Sequence, residues 1–311
     1  MRPRSLETSV LSKNHRFIEG LAFLKQCLSM LRIHQWSKNL LIFLPAIFAQ
    51  KSFSLDSFLH TLLGFFALSC LASATYILND LRDLKEDKIH PVKKLRVLAD
   101  GKVSKRAAGF WISFLLVVHL LTLLPLSAPF RLFCFAYASI SILYSFFLRK
   151  IFLIDAMTLA VFFTLRLHAG GALAEVPISK WLNIFSLFTF FSLALLKRYI
   201  ELTQHRLEQS STRGYRLDDS NAVLSLGVSS GSIACLILAL YVASTEAASA
   251  YPSPAFLWLS VPLVQYWLAR IWFLAHRRMV PDDPILFAVK DKASYAVIFF
   301  AAVVLCLAKS G

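Results

Sequence analysis

The chain has 311 residues, 57% of them hydrophobic and 16% charged, with 33 Lys and Arg against 18 Asp and Glu and a formal net charge of +15. Soluble domains carry about 25% charged residues, so this composition excludes an ordinary soluble globular protein and points to a membrane protein. Five dispersed cysteines (Cys27, Cys70, Cys134, Cys235, Cys306) fit neither a disulfide framework nor a zinc spacing.

The first thirty residues are polar and basic, without a compact apolar core and a small-residue cleavage site, so no signal peptide is expected. Residues 17–33 carry the pattern of an amphipathic helix lying on a membrane surface. A transmembrane helix needs about 20 mostly apolar residues. Nine candidate spans meet or approach that length: 39–50, 58–78, 107–126, 131–148, 151–172, 181–197, 222–243, 255–275 and 293–309. The first is short, so its helix is expected to begin near Trp36. Pro45 and Pro125 fall inside spans and are expected to kink them. The expected architecture is an all-α, polytopic bundle of nine transmembrane helices over residues 35–311, preceded by the segment 1–34.

Lys and Arg set the orientation, because cytoplasmic loops are enriched in both. With the N-terminus in the cytoplasm, only Lys51, Arg131, Lys180 and Lys309 fall outside, and Arg166 and Arg270 fall within spans. All other basic residues are cytoplasmic. The positive charge is thus accounted for by topology and needs no nucleic-acid partner. The same orientation places every cluster of mixed charge on the cytoplasmic face of an inner-membrane protein, as a site opening to the cytoplasm requires.

The most informative stretch is Asn79-Asp80-Leu81-Arg82-Asp83-Leu84-Lys85-Glu86-Asp87, directly after the apolar run from Phe58 to Leu78. Continued as a helix at about 100° per residue, it puts Asn79, Asp80, Asp83 and Asp87 within an arc of roughly 100°. Glu86 lies at the edge of that arc, and Arg82, Lys85 and Lys88 lie on the other side. Mg²⁺ takes hard oxygen ligands and is commonly shared between one or two carboxylates and substrate phosphates. The competing reading is a solvated helix end with i,i+4 ion pairs, which usually interleaves its signs rather than segregating them.

Further along, Lys93, Lys94 and Arg96 follow the acidic stretch and are candidate phosphate ligands, as are Lys38 with Asn39 before the first span and Lys150 with Tyr144 around the turn at 149–150. Asp155 opens the fifth span, where a carboxylate suits the positive end of a helix. Arg166 lies at mid-helix depth, where a charge costs about 2.5–3.5 kcal/mol on insertion scales, so it is expected to face the interior with an acidic or phosphate partner. Gly170-Gly171 reads as close packing or the end of the span rather than a phosphate loop, and His168 as a core histidine. Lys197 and Arg198 end the sixth span, where a plain helical pair between Lys197 and Glu201 competes with substrate binding.

Asn79-Asp80-x-x-Asp83-x-x-x-Asp87 after a transmembrane helix resembles the first aspartate-rich motif of the UbiA superfamily of intramembrane prenyltransferases. Within it the chain is most similar to the decaprenyl-phosphate phosphoribosyltransferase branch. That likeness runs through Gln35-Trp36-x-Lys38-Asn39, His90-Pro91-x-Lys93-Lys94-x-Arg96, Tyr144 with Lys150, and Lys197-Arg198-Tyr199-x-Glu201-Leu202. The branch usually has Arg-Pro where this chain has Arg32-Ile33 and Arg96-Val97. The second aspartate motif of the aromatic prenyltransferases is reduced to Asp155. The resemblance implies a UbiA-like bundle and Mg²⁺-dependent transfer of 5-phosphoribose from phosphoribosyl diphosphate to a polyprenyl phosphate. It implies metal at Asn79, Asp80, Asp83 and Asp87, and substrate phosphates at the basic residues named above; a homo-oligomer is left open. An aromatic prenyltransferase of the same fold and a cation-binding transporter are the rival readings.

Overall fold

A computed structural model describes residues 25–48, 55–89, 93–204, 214–281 and 283–310. Eight of the described helices are long and apolar enough to cross a membrane. They are built on α1 (Leu55–Arg82), α2 (Lys105–Leu123), α3 (Ala128–Phe146), α4 (Ile154–Ala174), α5 (Lys180–Gln204), α6 (Ser220–Val242), α7 (Ser260–His276) and α8 (Lys292–Lys309), with the 3₁₀ helices before α6 and α7 extending those two spans to Leu217–Val242 and Pro254–His276. No strand occurs among the described residues. The chain divides into two compact units, one of the residues up to Asn39 with Leu62–Ser127, the other of Leu40–Thr61 with the chain from Ala128 onward.

The first expected span takes a different form. It is a 3₁₀ helix over Ile33–Phe43 followed by a short α-helix over Leu44–Phe48. Pro45, second in that short helix, has no N–H to donate, and its ring collides with the carbonyl four residues back, so a straight α-helix cannot run through it. Pro125 ends a helix rather than kinking one: α2 stops at Leu123 and α3 starts at Ala128.

In the first unit, Cys27, Met30 and Leu31 are buried with Cys70, Ala74 and Ile77 of α1 and with Leu98, Val103, Ala108 and Leu115. The described part of the expected amphipathic stretch turns Cys27, Met30 and Leu31 into this core and leaves Leu28 and Ile33 exposed; residues 17–24 lie outside the described residues. Unpaired polar groups in an apolar surround cost several kcal/mol, about 2–7 depending on reference state, and this unit pairs them. Ser73 donates to the Leu31 carbonyl at 2.7 Å, and the Trp36 indole N–H donates to Ser73 Oγ at 2.9 Å. Asn39 Nδ2 donates to Ser69 Oγ at 2.9 Å, one turn earlier on α1. These bonds fix the end of α1 that carries the aspartates.

The second unit is held by close contacts around α4, α5 and α6. A Cβ on Gly227 would stand 2.2 Å from the Trp272 ring, so only glycine admits that indole. Trp272 Nε1 donates to Ser192 Oγ at 3.0 Å, and the Ser192 hydroxyl donates to the Gly227 carbonyl at 2.7 Å. A Cβ on Gly170 would lie 2.1 Å from the Ile42 carbonyl oxygen, which is the close packing that the sequence suggests for Gly170-Gly171. Asp291 caps α8 through the Ser294 N–H at 2.9 Å and takes both terminal nitrogens of Arg270 on α7, at 2.7 and 3.0 Å.

Candidate active site

The acidic end of α1 is built as the spacing suggests, with one irregularity. α1 ends at Arg82, Asp83 forms a turn, and a short helix resumes over Leu84–Ile89. Helical hydrogen bonding nevertheless runs through, from Asp83 N–H to Asn79 O at 2.9 Å and from Asp87 N–H to Asp83 O at 2.8 Å. Buried Leu84 holds the short helix in the core, which turns Asp80 and Asp87 inward: both are buried, whereas Lys85, Glu86 and Lys88 are exposed. Asn79 and Asp83 are half-buried.

Two arginines close on these carboxylates. Arg96 Nη1 lies 2.6 Å from Asp87 Oδ2 and 3.1 Å from Asp80 Oδ1. Arg32 Nη2 lies 2.5 Å from the same Asp80 oxygen, and its guanidinium stands over the Tyr76 ring at 5.6 Å. Arg32 adopts a left-handed backbone, φ 50°, which is uncommon for a residue with a Cβ. Among the described residues no group of three or more His, Cys, Asp or Glu converges on one point; the structure brings together Asp80 and Asp87 around a shared cationic nitrogen. That pair fits a hard divalent ion whose other ligands are phosphate oxygens and water. Of the neighbouring candidates, Lys38 and Lys93 are half-buried and Lys94 is exposed. Asn39 is buried on Ser69 and not presented to solvent.

The second unit holds a separate charged cluster at the start of α4. Asp155 is fully buried. Tyr215 donates to its Oδ1 at 2.6 Å, and Arg198 Nε of α5 lies 2.5 Å from its Oδ2. Arg198 also pairs with Glu201. The charges facing Tyr144 are Arg198, Asp155, Glu201 and Arg149. Burial, and then the Asp155 carboxylate, push the Tyr215 phenol well above its usual range, so it is a proton donor to Asp155 at any working pH. Lys150 is exposed, and Lys197 is half-buried.

Arg166 is buried in the interior, as expected. Nη1 donates to the Phe162 carbonyl at 2.7 Å and Nη2 to the Tyr137 hydroxyl at 3.2 Å, and the guanidinium lies over the Tyr137 and Phe163 rings at 5.1 and 5.4 Å. His168 bonds Asn183 at 3.0 Å, a structural role. The sequence does not single out Arg149 or Tyr215, and it marks Arg32 only as the residue before Ile33, not as a partner of Asp80. Arg32 and Tyr215 reach their carboxylates across 48 and 60 residues, separations that no local pattern reports.

An all-α membrane bundle with paired carboxylates at the end of one membrane helix is the class that these features define. The chain belongs to the UbiA prenyltransferase family, whose model matches residues 39–290. It is 38% identical over 277 residues to the uncharacterized protein y4nM of Sinorhizobium fredii, covering 88% of this chain and 54% of that protein, so the chain spans about half that relative's length. It is 32% identical to the nodulation protein NoeC of Azorhizobium caulinodans, covering 92% and 93% of the two chains. A decaprenyl-phosphate phosphoribosyltransferase of Mycolicibacterium smegmatis is 31% identical over 175 residues, 55% of each chain. The fold matches a UbiA homologue from Archaeoglobus fulgidus bound to GPP and Mg²⁺, with a TM-score of 0.68 and 17% identity over 90% of this chain and 99% of that one.

Proposed function

We propose that the chain moves a 5-phosphoribosyl group from phosphoribosyl diphosphate to a polyprenyl phosphate in the cytoplasmic membrane. The observation that carries this reading is the pair of buried carboxylates, Asp80 and Asp87, sharing Arg96 Nη1 with Arg32 beside them. Two acids and two arginines at the end of a membrane helix suit a metal-bound diphosphate. The partial likeness to the M. smegmatis enzyme favours the ribosyl donor.

In this reaction an acceptor phosphate oxygen bonds to ribose C1, the bond from C1 to the diphosphate oxygen breaks, and the diphosphate leaves with the electron pair. The acceptor is already an anion at neutral pH, so no strong general base is required. When bound, Mg²⁺ supplies neutralisation of the leaving diphosphate, with Asn79, Asp80, Asp83 and Asp87 as its protein partners. Arg32 and Arg96 orient the diphosphate and offset its charge, each contact to an ionised partner contributing about 1.5–3 kcal/mol. The basic residues that the sequence singles out, Lys38, Lys93, Lys94, Lys150 and Lys197, are the candidates for the ribose 5-phosphate and the acceptor phosphate. The excess of Lys and Arg on one side of the spans supports a cytoplasmic N-terminus and a cytoplasmic site.

Membranes containing the protein should pass radiolabel from phosphoribosyl diphosphate to a polyprenyl phosphate, and EDTA should stop the transfer. Asp83→Asn should lose most of it while inserting as wild type does. A second reading is prenyl transfer to an aromatic acceptor; the GPP bound by the A. fulgidus homologue supports its prenyl diphosphate donor. Label moving from a prenyl diphosphate to 4-hydroxybenzoate, with none from the ribosyl donor, would decide for it.

A further inference from the structure

The turn that carries Lys150 has an unusual backbone. A three-residue 3₁₀ helix, Leu148–Lys150, leads into Leu153 at φ 61° and ψ −35° before α4 begins. A leucine persists in such a conformation only when its surroundings over-determine it. Those surroundings come from Gly214 and Tyr215, sixty residues on. Gly214, at φ 73°, lies so close that a Cβ would stand 2.9 Å from the Lys150 carbonyl oxygen and 3.3 Å from the Phe152 nitrogen. The Tyr215 ring packs on Phe152 with centroids 4.8 Å apart. The Tyr215 hydroxyl donates to Asp155 Oδ1 and faces the Leu153 backbone. Asp155 is itself held by an ion pair, with Arg198 Nε 2.5 Å from its Oδ2.

We propose that Tyr215 is a positioning residue: through Asp155 and the Gly214 backbone contact it fixes the turn 148–154, and thereby sets the exposed Lys150 for a phosphate group of the substrate. The substrate half of this statement rests on the phosphoribosyl-transfer reading. The stapling half does not.

The test uses the full chain in lipid nanodiscs and removes one oxygen with Tyr215→Phe. Amide hydrogen exchange in peptides covering 148–154 should rise about tenfold or more, as local opening becomes easier, while α1 and α8 exchange as in wild type. Gly214→Ala, which leaves the hydroxyl in place but adds the colliding Cβ, should give the same local signature. Unchanged exchange in both variants overturns the staple. In the transfer assay, Tyr215→Phe should raise the KM of one phosphate-bearing substrate about five- to tenfold with kcat within about twofold. In a Lys150→Ala background the same substitution should add nothing. Additive losses, or a fall in kcat alone, overturn the positioning role. If wild type transfers no phosphoribose, the functional reading fails and the substrate half falls with it, and hydrogen exchange alone still decides the staple.

Discussion

Arg96 holds Asp87 at 2.6 Å, and the same nitrogen reaches Asp80 at 3.1 Å. Two carboxylates that are 4% and 9% exposed at their side chains repel one another unless a cation stands between them. Arg96 is that cation, and its side chain is 32% exposed, so it can withdraw towards water. A divalent ion that engages both oxygens must displace it.

Arg96→Gln should therefore destabilise the protein by about 1–3 kcal/mol, the usual cost of leaving a buried charged acceptor without its partner. Millimolar Mg²⁺ should restore much of that loss, and should raise the melting temperature of the variant more than that of wild type. Thermal melting in detergent, with and without Mg²⁺, reads both effects. A variant as stable as wild type, or one indifferent to Mg²⁺, contradicts a shared cation position.

The pair of Asp155 and Arg198 makes a sharper contrast. Both side chains are essentially removed from solvent, at 0% and 2% exposure, and removing one partner of a buried pair costs about 3–5 kcal/mol. Arg198→Met should unfold the protein at markedly lower temperature. Glu201→Gln touches the same arginine, but its side chain is 24% exposed, so water replaces part of what is lost and the cost should stay near 1 kcal/mol. Equal effects of the two variants would mean that burial does not rank these contacts.

Much of this layout is legible in the sequence. Runs of apolar residues mark each of α1 to α8 because membrane helices have one dominant composition rule, and the aspartate spacing turns Asp80 and Asp87 to one side because 3.6 residues make a turn. The first span misleads: its hydropathy continues through Pro45, but the backbone is a 3₁₀ helix to Phe43 and a short α-helix over Leu44–Phe48. Arg32 and Tyr215 are illegible because long-range pairing is decided by packing of distant helices and loops, not by spacing.

Acid should loosen the junction of α7 and α8. Burial alone would raise the Asp291 carboxyl, but the Arg270 guanidinium and the Ser294 N–H and hydroxyl outweigh it and hold the group below its ordinary value. A carboxyl depressed in the folded state contributes stability that is complete above the unfolded value, about 4, and drains away as pH falls through the folded one. Wild type should thus lead Asp291→Asn in melting temperature at pH 7, and the lead should shrink steadily below pH 4. A constant gap across that range would assign the effect to shape and not to charge.

Gly170 gives a purely steric prediction. An added methyl would stand 2.1 Å from the carbonyl oxygen of Ile42. That oxygen belongs to backbone in the Ile33–Phe43 3₁₀ helix, so it cannot swing aside as a side-chain tip can. Gly170→Ala must push this segment away from α4, and overpacking of this kind costs about 1–3 kcal/mol, here at the upper end because backbone is what must move. Gly109 on α2 is the control, since a methyl there meets nothing within 4 Å. Alanine is the better helix former by about 0.5–1 kcal/mol, so Gly109→Ala should be neutral or stabilising. Melting of the two variants in the same detergent should move in opposite directions, or at least differ by several degrees, with Gly170→Ala the weaker protein. Indistinguishable melting would show that the contact of Gly170 with Ile42 is not a tight one.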